Sequence, residues 1–188
     1  MRTALARHNG FNLIAADLHS GECFWASNAG AHPRRLEPGV YGLSNAGLDT
    51  PWPKVQALKE RMGVAMKVAG SVDELAVRLF DVLADPAIAT DAALPRTGIP
   101  LALERQLSAA FIRTPDLAYG TRCSTLIITE RAAGRHATHV LERNFEADGS
   151  VSSLRRAVLQ NWPSRGAAAV AAGSAEPAAV LDASLSRT

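Results

Sequence analysis

Apolar residues in this chain change their period twice, and the two changes divide it into three blocks. In "FNLIAADL" (residues 11 to 18) the apolar run is too short for a surface helix, and "HSGE" is turn chemistry leading into "CFWAS", so the pair predicts a β-hairpin. After the Pro and Gly punctuation of "AHPRRLEPG", "VYGLSN" is expected to be a third short strand. From Pro51 the period becomes helical. Val55, Leu58, Met62, Ala65, Met66 and Ala69 recur at spacings of three and four and define one apolar stripe, closed by Gly70. Ser71 and Glu74 then have capping-box spacing, and Val72, Leu75, Leu79, Val82 and Leu83 predict a second helix up to Asp85-Pro86. "DPAIATDAALPRTGIP" is a loop, and Leu103, Leu107, Ala110 and Phe111 mark a shorter helix ended by Thr114-Pro115.

Strand character returns with "CSTLIIT" (123 to 129), "ATHVLERNF" (137 to 145) and "SVSSLRRAV" (150 to 158), separated by Gly134 and by Asp148-Gly149, as in a meander. Strands, helices and strands again predict an α+β protein, its sheet assembled from both ends of the chain with helices on its face. Residues 1 to 163 are expected to form one domain. From Ser164 to Thr188 small residues dominate without an amphipathic period, which predicts a disordered tail.

Composition narrows the function classes. A charged fraction of 20% beside 47% hydrophobic residues excludes the highly charged class that stays unfolded. The net charge of +2 is spread without runs, so no phosphate-tracking stripe forms and nucleic acid is not the expected partner. No stretch approaches the roughly 18 apolar residues of a membrane span, and "MRTALARHNG" has no apolar core of signal-peptide length. Cys23 and Cys123 lie far apart and outside any CxxC pair, which suits a reducing, cytoplasmic setting and the role of small buried hydrophobes.

Candidate chemistry is sparse. His136 and His139 are three apart in a strand, so they point to opposite faces and do not form a ligand pair; His8, His19 and His32 stand alone, and no metal site is expected. Ser44 in "GLSN" lacks the glycine spacing of a nucleophile elbow. In "YGTR" a Tyr-Gly turn brings Arg122 to the rim of the strand that follows; the alternative role is a surface arginine on the carbonyls of the third helix. Trp25, Trp52 and Trp162 are expected in core or rim packing. Asn9 and Asn12 in "NGFN" are expected to satisfy neighbouring backbone at a turn and a strand entry.

Taken in order, "HNGFNLIAADL", "YGLSNAGLDTPWPKV" and "YGTR-CSTLIIT" resemble the Asn-Arg-Asp-Glu motif family, which includes the eukaryotic transport and Golgi organisation 2 protein, from about residue 8 to 145. The resemblance implies an N-terminal-nucleophile-hydrolase-like layered αββα sandwich, two antiparallel sheets between helical layers. Family members begin with Met-Cys, whereas Met1 here leads directly into "RTALARHNG", so the expected fold is incomplete at the N-terminus and lacks the nucleophile. By the same resemblance Asn45 matches an oxyanion-binding asparagine, and Arg122 a cation that stabilises a thiolate. The two are expected to converge on one pocket. The resemblance further implies a non-enzymatic trafficking or binding role, with haem as cargo or a lipid or acyl-CoA metabolite as ligand. The alternative is an amide hydrolase that needs the N-terminal cysteine. An inactive remnant would leave unpaired sheet edges prone to association.

Overall fold

The computed structural model describes residues 10–17, 20–29, 32–132 and 135–160. His8, His19, Asn9, Gly134, Trp162 and the segment 164–188, for all of which expectations are given above, lie outside them. Two antiparallel sheets of three strands each carry the fold, and three α-helices lie between them in the chain.

The first sheet is β1 (Asn12–Ala16), β2 (Cys23–Ser27) and β3 (Arg34–Leu36), in that order. Its hairpin matches the expected one, with Asn12 opposite Ser27 and Ile14 opposite Trp25. The third strand does not: "VYGLSN" has no strand pairing, and β2 pairs with "RRL", where Arg34 faces Trp25 and Leu36 faces Cys23. Apolar content favoured the wrong segment. Leu36, buried at the end of β3, supplies the one core side chain of that strand, while the two arginines stay exposed and the Arg34 guanidinium lies over the Trp25 ring.

Helix α1 (Pro53–Val68) starts with proline in its first turn, where the missing N–H costs no bond. Its stripe is narrower than the spacing suggests. Val55 and Ala65 are buried, but Met66 is 55% exposed, because only a small residue such as Ala65 lets α1 approach its neighbour closely. That neighbour is α2 (Val72–Leu83), whose N-cap Ser71 accepts a bond from the Glu74 N–H at 3.1 Å. The Glu74 carboxylate returns to Gly70 N–H, one residue before the expected partner, and also pairs with Arg78.

Helix α2 packs between α1 and β4, so it needs apolar residues over more than one stripe. Ala76 and Phe80 supply the second face and join Ala65, Leu79, Leu126 and Leu141 in the main core. A 3₁₀ turn (Asp91–Ala93) and α3 (Leu101–Leu107) follow; α3 ends before Ala110 and Phe111, which lie in the segment leading to the second sheet.

That sheet is the expected meander of β4 (Cys123–Ala132), β5 (Arg135–Phe145) and β6 (Val151–Gln160). The sheets are separate, which corrects the single sheet expected from both ends of the chain. Along β5, His139 faces the helices and His136 the opposite side, as strand alternation requires. His139 contacts Glu130 of β4 at 3.0 Å and Arg156 of β6 at 3.2 Å, and Arg156 continues to Asp73 in the first turn of α2. Cys123 is exposed and Cys23 half-buried, so neither is the buried hydrophobe expected. No helix among the described residues is long and apolar enough to cross a membrane.

Candidate functional site

The segment 41–55 is held from three sides. Gly42 N–H donates to the Asp49 carboxylate at 2.8 Å, Asp49 N–H returns to the Gly42 carbonyl, and Lys59 of α1 donates to the same carboxylate oxygen at 2.6 Å. The Lys59 bond, reinforced by Gly42 N–H, holds the Asp49 carboxyl below the usual aspartate range against the opposing effect of burial. Asp49 itself sits at φ 58°, a left-handed conformation that Asp tolerates better than most residues. Gly42 has no alternative, since a Cβ there would collide with the Val55 Cγ1 methyl.

From the other side Asn12 of β1 donates to the Ala46 carbonyl at 2.9 Å and accepts from the Trp25 indole N–H at 3.1 Å. The expectation that Asn12 satisfies its own neighbouring backbone is thereby corrected. Its amide spans 34 residues to clamp the site loop onto the first hairpin. Asn45, the residue before Ala46, is exposed, and its side-chain amide has no hydrogen-bond partner among the described residues.

Asn45 lines a cavity of about 520 Å³ whose walls include Trp52, Ile99, Leu107, Ile112 and Tyr119. Two charged groups face it. Lys54, in the first turn of α1, donates to the Leu107 carbonyl at the end of α3 at 2.8 Å and lies 5.9 Å from the Trp52 ring centroid. Burial lowers its pKa below the ordinary lysine value. Glu104 of α3 is 6% exposed, and its Oε1 accepts from both the Thr97 N–H at 2.6 Å and the Thr97 hydroxyl at 2.9 Å. Thr97 lies between two left-handed residues, Arg96 (φ 55°) and Gly98 (φ 90°).

Arg122 lies elsewhere. It is exposed and lines a cavity of about 310 Å³ with Gly120 and Thr121, and its guanidinium has no partner among the described residues, helix carbonyls included. The "YGTR" turn is fixed by Thr121, whose N–H donates to the Ile112 carbonyl and whose hydroxyl accepts from the Ile112 N–H. Asn45 and Arg122 therefore open on different cavities, which share Ile112 and Tyr119 in their walls.

Lys54 and Glu104 were not among the residues that motif reasoning singled out. One signal was legible. A lysine in the first turn of a helix that has no acidic residue there opposes the helix dipole, and such a cost points to a partner outside the helix. Glu104 gave no such sign, because an acidic residue in the first turn of α3 is what the dipole favours anyway.

The fold and this cavity define an α+β protein with an apolar cleft carrying one cation and one buried carboxylate. A model of the family described as Transport and Golgi organisation 2 matches residues 1–147, and the chain belongs to that family. It is 34% identical over 167 residues to the Transport and Golgi organization protein 2 homolog of Bos taurus, covering 84% of this chain and 54% of the relative. The Homo sapiens homolog is 32% identical over 171 residues, covering 84% and 55%, and the Mus musculus one 33% over 150, covering 76% and 54%. The chain thus spans about half the length of these curated relatives. The resemblance drawn from the three ordered sequence blocks is borne out at the level of the family.

Proposed function

We propose that this protein serves in the cytoplasm as a non-enzymatic binding or trafficking protein for an amphipathic metabolite of the lipid or acyl-CoA kind. The observation that carries this reading is the 520 Å³ cavity itself, an apolar space with the Lys54 ammonium at its wall. Its volume lies in the range of small-molecule sites, and an apolar body with a few placed polar groups is what such sites recognise. Lys54 spends one N–H on the Leu107 carbonyl and retains two for an oxygen of the ligand's polar head. Haem is the other cargo considered. It is less well matched, since among the described residues neither histidine nor cysteine lines the cavity to serve as an axial ligand.

Titration with dodecanoyl-CoA, followed by calorimetry and Trp52 fluorescence, tests the reading. Saturable binding is expected, weakened about tenfold or more in Lys54→Met through loss of a charge-assisted hydrogen bond. Because burial lowers the Lys54 pKa, the ammonium is lost at a pH below that of an ordinary lysine, and affinity should fall on the alkaline side accordingly. A folded protein that retains neither dodecanoyl-CoA nor haem above an unrelated control sinks the proposal.

The second reading is an N-terminal-nucleophile amide hydrolase, operating when a cysteine is supplied upstream. It is favoured by the Asn45 amide, unpartnered among the described residues and so a donor that needs no bond broken there before it meets an oxyanion. Arg122 would be the thiolate-stabilising cation. In a longer form with such a cysteine, Asn45→Ala and Arg122→Ala should each lower turnover without changing the melting temperature.

A further inference from the structure

Glu104 has a polar atom left over. Both bonds from Thr97 go to Oε1, and Oε2 has no hydrogen-bond partner among the described residues, although the residue is 94% buried by the 6% exposure that remains. An unmatched buried acceptor costs on the order of 1–3 kcal/mol, and more when charged, so a carboxylate oxygen in this position needs a donor from outside the protein. The same side chain lines the cavity that holds Lys54, so a molecule in that cavity reaches both groups.

We infer that Glu104 is a specificity residue of this cavity: it requires a ligand carrying a hydroxyl or amide N–H donor near the oxygen that meets Lys54. The inference rests on the binding reading above and adds the ligand's polar pattern to it. Thr97 holds the carboxylate through two bonds to one oxygen, which fixes the direction in which the other can accept. Lys54 is fixed in turn by the Leu107 carbonyl on the same helix that carries Glu104. The site therefore presents a donor and an acceptor at set positions against an apolar wall. A 3-hydroxyacyl thioester offers one acceptor and one donor close together, a carbonyl to take the lysine N–H and a hydroxyl to donate to Oε2. A saturated acyl chain brings only the carbonyl and leaves Oε2 unmatched on binding, which a polar site penalises more heavily than an apolar site penalises a missing methylene.

The experiment compares dodecanoyl-CoA with 3-hydroxydodecanoyl-CoA by calorimetry, on the protein and on Glu104→Gln. The hydroxylated thioester should bind about tenfold more tightly to the protein, the effect of one hydrogen bond to a charged acceptor. In Glu104→Gln the amide oxygen keeps the Thr97 bonds while an NH₂ replaces Oε2; the ligand hydroxyl then accepts a neutral bond instead of donating to a charged oxygen, so the preference should fall to about threefold or less. Equal affinity for the two thioesters in the unaltered protein overturns this inference and leaves the binding reading standing, and that comparison holds even if Glu104→Gln does not fold. A preference that persists undiminished in a folded Glu104→Gln also overturns it. Binding of neither thioester overturns this inference together with the acyl-CoA binding it rests on.

Discussion

Single side chains in this protein act across long stretches of chain, and Asn12 does so most plainly. Its amide holds the Trp25 indole and the Ala46 carbonyl at once, so it sets where the loop bearing Asn45 lies against the hairpin. Asn12→Ala should lose about 1–3 kcal/mol, since the indole N–H and a carbonyl both lose their partner; chemical denaturation checks this, with a shifted Trp25 indole resonance as the local sign. Asp49 makes a second, pH-dependent case. Its folded-state pKa is lowered by the Lys59 bond, so its contribution is complete above the ordinary aspartate value and is lost as pH falls through the lowered one. Melting temperatures should therefore drop in that acid window, and the drop should shrink in Asp49→Asn. The family resemblance pointed to Asn45, but nothing in the sequence could announce Asn12, because asparagine at a strand start is usual whether or not a loop 34 residues on needs a clamp.

At the level of the element, local signals were trustworthy where the chain satisfies itself. The Ser71 cap is such a case, and Ser71→Ala should cost about 1 kcal/mol, measurable by thermal or urea denaturation. The boundaries of α2 and the order of the β4–β6 meander were legible for the same reason, being fixed by caps, turns and alternation. Strand β3 was not. "RRL" lacks strand composition and pairs because β2 offers an edge in register with it, while "VYGLSN" is drawn instead into the Gly42–Asp49 loop by the bonds that close on Asp49. The width of α2's apolar face was misjudged likewise, for a helix with neighbours on two sides buries residues such as Phe80 that a one-stripe count leaves out.

On the scale of the whole molecule, apolar residues divide into a packed set and an exposed one. Leu79 is 8% exposed within the core of α1, α2 and the second sheet, whereas Leu13 is 54% exposed on β1. Leu79→Ala should therefore cost about 2–5 kcal/mol, and Leu13→Thr should stay within about 0.5 kcal/mol; paired denaturant titrations with unchanged m-values would establish the contrast. The two residues look alike in a hydropathy profile. What the sequence determined by itself was the α+β class, the family, the order of the helices and the Ser71 cap, because each follows from neighbours a few residues apart or from ordered blocks of sequence. Tertiary structure alone decided that the strands form two sheets, that Asn45 and Arg122 open on separate cavities, and that Lys54 and Glu104 face one space. Those outcomes depend on which distant segments meet and on which buried polar atoms are left without partners, and neither is written in the local order of residues.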